Sequence, residues 1–183
     1  MASVRILSQK FLKSHYRAGK PTFFVEQYLN CAGINYTALG YLDMLCTLNS
    51  KNRKADPTFC VHLINFFESL KPGVTGLKYH TIRGGQHFKT GDPVSLRVWE
   101  SIPYQSKQII IAPDITLKKI WDFNIKKADY LINNKKINLT VLKTLAANDG
   151  LTADDFELWF AGAKNKDSKF SGQILCWNKQ VDY

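Results

Sequence analysis

The residues of this chain that could do chemistry gather in one short run, Lys78-Tyr79-His80-Thr81-Ile82-Arg83. A two-glycine turn, Gly84-Gly85, and then His87-Phe88-Lys89-Thr90-Gly91-Asp92 follow directly. Side chains alternate along a strand, so an extended run puts Thr81 and Arg83 on one face and brings Lys78 in from the leading end. The same alternation turns His80 to the face opposite Thr81. An amine, a hydroxyl and a guanidinium beside flexible backbone suit an anion or nucleotide site, and equally describe an exposed basic strand. A threonine hydroxyl attacks only after a base removes its proton. Lysine is such a base only when burial or nearby positive charge lowers its pKa. Arg83 can supply that charge, or can itself hold an oxyanion or phosphate. Asp149, just ahead of Gly150, is the acid that could orient the lysine or pass a proton to a leaving amine.

A second constellation overlaps the first. Gly84 and Gly85 allow backbone to approach a phosphate, while Arg83, His87 and Lys89 add sequence-independent attraction. Phe88 sits in the loop where a ring could stack on an unpaired base. The glycine spacing fits neither a P-loop nor a dinucleotide fingerprint. The tryptophans read as core rather than as stacking surface. The four cysteines (Cys31, Cys46, Cys60, Cys176) have no zinc-type spacing and lie in apolar surroundings, which suggests reduced, buried thiols. The histidines offer no metal cluster, so neither metal nor cofactor is expected.

The elements that must position these groups come from the rest of the chain. Its 183 residues, 45% of them hydrophobic, can bury a real core and argue against disorder. Lysine and arginine total 25 against 15 acids, a formal charge of +10 that favours polyanions, nucleic acid first. There is no charged-then-apolar leader and no bilayer-length apolar run, so the expectation is a cytoplasmic protein without a membrane partner.

A short strand is expected near Val4–Leu7, then helices from Pro21-Thr22, over Tyr36–Leu48 and over Thr58–Leu70. The basic segment Asn49–Asp56 separates the last two. From Lys78 onward strands dominate: Val94–Trp99 with Val94, Leu96 and Val98 on one face, Gln108–Ala112, Ile115–Ile125, and a hairpin about Asn133-Asn134. Helices begin at Asn138 or Thr140 and at Thr152, the first stopped by Asp149-Gly150, and Gln173–Trp177 is a final strand.

Taken together, Lys78-x-x-Thr81-Ile82-Arg83, Phe88-Lys89-Thr90-Gly91-Asp92, Leu96-Arg97-Val98-Trp99, Asn148-Asp149-Gly150-Leu151-Thr152-x-x-Asp155-Phe156 and the closing strand near Ile174 resemble the ASCH domain. This is a PUA-like family associated with RNA. The resemblance covers residues 71–180 and implies an α+β fold: a small PUA-like β-barrel with flanking helices over 72–183. Residues 1–20 would add a strand and loop to the barrel, and 21–71 would be a helical N-terminal insertion or lid.

One branch is especially similar, the small bacterial amidohydrolases that deacetylate N(4)-acetylcytidine, which share Lys-x-x-Thr-Ile-Arg and His-Phe-Lys-Thr-Gly-Asp. That likeness implies an RNA or nucleoside partner and hydrolysis of an N4-acyl amide, with Thr81 as nucleophile, Lys78 as base and Asp149 as acid. The branch carries glutamate where Asp149 falls when Leu151-Thr152 is aligned with its helix start. Aligning Leu139-Thr140 instead puts Lys135 there. A non-catalytic RNA-binding module on a basic barrel face, or a ribonuclease, is the alternative.

Overall fold

Two kinds of local signal, apolar alternation and side-chain caps, build the elements of this chain. The computed structural model describes residues 2–126, 129–160 and 169–183. In chain order these give β1 (Ser3–Ile6), α1 (Phe24–Cys31), α2 (Leu39–Leu48), α3 (Ser50–Ala55), α4 (Phe59–Ser69), β2 (His80–Gly84), β3 (Pro93–Trp99) and β4 (Gln108–Ile110). Then come β5 (Ile115–Thr116), β6 (Lys119–Lys126), β7 (Asp129–Ile132), β8 (Lys135–Lys136), α5 (Leu139–Asn148), α6 (Ala153–Trp159) and β9 (Phe170–Cys176). The protein is thus mixed α+β, with six helices and two open sheets among the described residues.

Two units interleave along the chain. The first comprises residues 1–9, 23–75 and 93–115. Its sheet runs β1-β3-β4, with β1 parallel to β3 and β4 antiparallel to it. Val94, Leu96 and Val98 are all buried, as their alternation predicts. Leu29, Leu45, Phe59 and Leu63 supply the helical side of the core.

The basic segment 49–56, expected to separate two helices, itself contains the short helix α3. Asn49 makes the break between α2 and α3. Its amide nitrogen donates to the Leu45 and Ile110 carbonyls, both at 2.9 Å, and its carbonyl accepts from the Ile110 N–H at 2.9 Å. One buried side chain therefore stops a helix and pins it to β4. The cysteines are all free thiols, but only Cys176 is buried; Cys31, Cys46 and Cys60 are half-buried, correcting that expectation.

The second unit comprises residues 10–22, 76–92 and 116–183. Its sheet runs β2-β9-β6-β7-β8, every pair antiparallel. Asn133 and Asn134 both have positive φ, 49° and 64°, which is the left-handed pair a two-residue hairpin turn needs. Asn138 caps α5 by accepting from the Val141 N–H, and Thr152 caps α6 by accepting from the Asp155 N–H. Phe123 packs with Tyr130, Phe156, Phe160 and Phe170 in one aromatic cluster. Arg17 in the 10–22 loop pairs with the buried Asp155 carboxylate at 2.8 Å.

Asn49→Ala would take the side-chain partner from the half-buried Ile110 N–H and carbonyl. A loss of ~3 kcal/mol follows if these groups find no other partner. Urea unfolding measures it, and a change under ~0.5 kcal/mol, the size of a neutral surface substitution, would contradict the clamp.

Candidate functional site: a buried lysine–aspartate pair

Strand β2 and the end of α5 create the site. Asp149 is the C-cap of α5, and Gly150 follows with φ 81°, the left-handed position that ends so many helices. The Leu151 N–H then donates to the Ala146 carbonyl at 2.9 Å and the Gly150 N–H to the Ala147 carbonyl at 3.0 Å, closing the cap with two hydrogen bonds. The Asn148 carbonyl accepts from the Tyr79 N–H at 2.8 Å, which docks this helix end on the lead-in to β2. Local sequence therefore fixes where the Asp149 carboxylate goes.

It goes to Lys78. The ammonium donates to the Asp149 backbone carbonyl and to Asp149 Oδ1, each at 2.5 Å. The lysine side chain is 1% exposed and that of Asp149 8%. Trp177 closes the strand side, its indole N–H donating to the Lys78 carbonyl at 2.9 Å. Burial drives the Lys78 pKa below its ordinary value; the Asp149 carboxylate opposes that shift, and the Arg83 guanidinium adds to it.

His80 joins the pair. Its Nε2 lies 3.2 Å from the Leu145 carbonyl and its Nδ1 3.7 Å from Asp149 Oδ1. Burial pushes its pKa down to about 4, with Asp149 opposing and Lys78 reinforcing the drop. The Tyr183 ring meets His80 edge-on at 5.7 Å and Trp121 at 5.0 Å, and Asn148 Nδ2 donates to its hydroxyl at 3.0 Å. Tyr183 also forms one wall of a cavity of about 340 Å³ completed by Thr140, Val141, Thr144 and Asp182.

The other predicted residues lie elsewhere on the unit. Thr81 is directly opposite Leu175 and Arg83 opposite Gln173 on β9, so alternation sets both on the β2 face away from His80. Thr81 is buried at 6% exposure. Gln173 clamps the following loop: its Oε1 accepts from the Phe88 N–H at 3.0 Å and its Nε2 donates to the Phe88 carbonyl at 3.3 Å. Phe88 is consequently 7% exposed and packs inward, so the expected stacking platform is a packing residue. His87, Lys89 and Gly84 are exposed, and Arg83 and Gly85 half-buried. Gly85 has φ 85°, and a Cβ there would stand 2.6 Å from His87 Nε2, so the turn requires glycine.

The structure thus brings Lys78 and Asp149 together, and it adds His80 and Tyr183, which the sequence reading left out. His80 carried a usable signal, since a period of two from Lys78 lands on it. Tyr183 carried none. Comparison with protein-family models, with curated proteins and with solved structures returns no match for this chain.

Two outcomes follow. Asp149→Ala leaves a buried ammonium without its carboxylate and should cost ~3–5 kcal/mol in urea unfolding, whereas Lys78→Met with Asp149→Leu should recover most of it. Equal losses in single and double variants would contradict a paired charge. For His80, the unfolded ring takes a proton below about pH 6.5 and the folded ring only near 4. Between those values the unfolded state holds more protons, so stability falls as pH falls, by ~3 kcal/mol across the window. Melting curves recorded from pH 7 to 4 should show this slope in wild type and lack it in His80→Gln.

Proposed function

We propose that this protein is an ASCH-type, PUA-like module that recognises a modified nucleoside and hydrolyses an acyl amide on its exocyclic nitrogen, as in N(4)-acetylcytidine. The observation that carries the reading is the desolvated Lys78 ammonium paired with Asp149, because a lysine with a lowered pKa is what general-base chemistry near neutrality requires. The cavity walled by Tyr183 falls in the size range of small-molecule sites, and its aromatic wall suits a planar base.

In this reaction Lys78, as the neutral amine that its lowered pKa makes accessible, takes a proton from the water that attacks the acetyl carbonyl. Lys78 then returns that proton to the departing N4, releasing acetate and the free amine. Asp149 holds the lysine throughout. The family resemblance assigns attack to Thr81, but strand alternation turns that hydroxyl away from Asp149, so we assign the attack to water. Half-buried Arg83 then belongs to the face on which a nucleic-acid backbone would rest, while Thr81 is buried.

Incubation with N(4)-acetylcytidine, following cytidine release, tests the reading. Wild type should turn over, Lys78→Ala should lose activity by at least ~100-fold, as expected for a lost general base, and Thr81→Ala should stay within ~5-fold, a loss of about 1 kcal/mol. No turnover by folded wild type would reject the hydrolase. A Thr81→Ala loss as deep as that of Lys78→Ala would restore threonine as nucleophile.

A second reading, RNA binding without turnover, is favoured by the net charge of +10 and by the exposed His87 and Lys89 beside Arg83. It expects single-stranded RNA affinity that falls steeply with added salt, and salt-insensitive or absent binding would reject it.

A further inference from the structure

The loop that opens the second unit, residues 10–22, carries Lys10, Lys13, Arg17 and Lys20 and no acid, and the ion-pair centre makes no use of it. The loop is closed on itself. Lys10 and Pro21 form an isolated bridge, the Phe11 N–H donates to the Lys20 carbonyl at 2.9 Å, and the Gly19 N–H donates to the Phe11 carbonyl at 3.2 Å. Two turns fold its interior, with the His15 N–H donating to the Leu12 carbonyl at 3.0 Å and the Lys20 N–H to the Arg17 carbonyl at 2.9 Å. Those turns keep Lys13 and Lys20 close in the backbone to Tyr16.

Inside this frame three rings stack. Phe11 and His15 lie 4.5 Å apart at 27°, and His15 and Tyr16 lie 4.9 Å apart at 29°. Phe11 and His15 are buried, whereas Tyr16 is 72% exposed. The middle ring is held at both nitrogens: His15 Nδ1 accepts from the Arg17 N–H at 3.1 Å, and Nε2 lies 3.5 Å from Asp155 Oδ1. The Arg17 guanidinium sits 4.4 Å from the Phe11 centroid and donates to the other Asp155 oxygen at 2.8 Å. A ladder anchored on α6 thus presents its last ring to solvent. That ring is already ordered by its neighbour, so a planar partner laid on it loses less entropy than one meeting a free side chain.

The charges fit the same partner. Lys13 and Lys20 are exposed, and neither makes an ion pair among the described residues. Of the acids that act on Tyr16, Asp155 is paired with Arg17, which leaves Asp154 against the lysines of the loop.

We infer that the 10–22 loop is a docking surface for single-stranded nucleic acid, with one base stacked on Tyr16 and neighbouring phosphates held by Lys13 and Lys20. The inference rests on the RNA-binding reading above and adds a surface which that reading does not use. Stacking accepts any base, because every base has a π face, and lysine holds phosphate without reading sequence, so the contact is sequence-tolerant. An anionic membrane offers phosphates too, but Leu12 and Tyr16 are the only large apolar side chains that the loop exposes, too little for an interfacial anchor.

Fluorescence anisotropy with a labelled oligouridylate, and with an abasic strand of equal length, tests this. Tyr16→Ala should weaken oligouridylate binding at least ~5-fold, the low end of one stacked base, while Tyr16→Phe stays within ~2-fold. The abasic strand keeps the phosphates and lacks the rings, so wild type and Tyr16→Ala should bind it alike. Lys13→Gln with Lys20→Gln should lower the slope of log affinity against log salt by roughly 1.4, the share of two phosphates. Affinity untouched by Tyr16→Ala, with losses only in His87→Ala or Lys89→Ala, overturns the inference and leaves the RNA-binding reading standing. No binding by wild type overturns both. Binding to phosphatidylserine vesicles without binding to oligouridylate gives the loop to a membrane and equally overturns the inference. Photocrosslinking covers a Tyr16→Ala variant that fails to fold: a strand carrying 5-iodouridine should crosslink to wild type at Tyr16, and crosslinks found only outside residues 10–22 would refute the docking surface.

Discussion

The second unit is organised around one buried charge. Taking the Lys78 ammonium out of water is costly, and only a close carboxylate with good hydrogen bonds offsets that cost. Asp149 supplies both its carboxylate and its backbone carbonyl to the same nitrogen. Those two contacts require the end of α5 to sit against the start of β2, and the Tyr79–Asn148 backbone bond secures that contact. Position of helix, position of strand and protonation of lysine are therefore a single constraint. None can change alone.

Much of this could be read from the sequence because the signals were local. Asn138 and Thr152 cap helices by bonding their own neighbours, Asn133-Asn134 turns a hairpin by its own φ angles, and Val94, Leu96 and Val98 declare a buried face by spacing. The association of Lys78 with Asp149 was legible as well, since a lysine ahead of a strand and an acid at a helix stop were singled out together. What stayed hidden depends on distant contacts. α3 carries no cap signal, and its start is set by Asn49 reaching across to Ile110. Phe88 looked like a loop aromatic until Gln173, on another strand, tied its backbone down. Tyr183 gains its place from His80, Trp121 and Asn148, which nothing in its own sequence surroundings announces.

Thr81 and His80 show how one residue of register decides a chemical assignment. Adjacent on β2, they face opposite sides of the sheet, one set with Arg83 and the other with Asp149. Reading the run as a motif groups lysine with threonine. Reading it as a pleated strand docked on α5 groups lysine with histidine. The second grouping follows from the packing, which sets the buried ion pair and His80 together on the helical face.

The pair of hydrogen bonds between the Gln173 amide and the Phe88 backbone carries its own consequence. A side-chain amide that both donates to and accepts from one residue's main chain imitates a rung of sheet. His87 and Lys89, on either side of Phe88, are thereby carried on backbone that these two hydrogen bonds hold in place. This stretch therefore has less conformational entropy left to lose in any contact than a free glycine-rich loop would have.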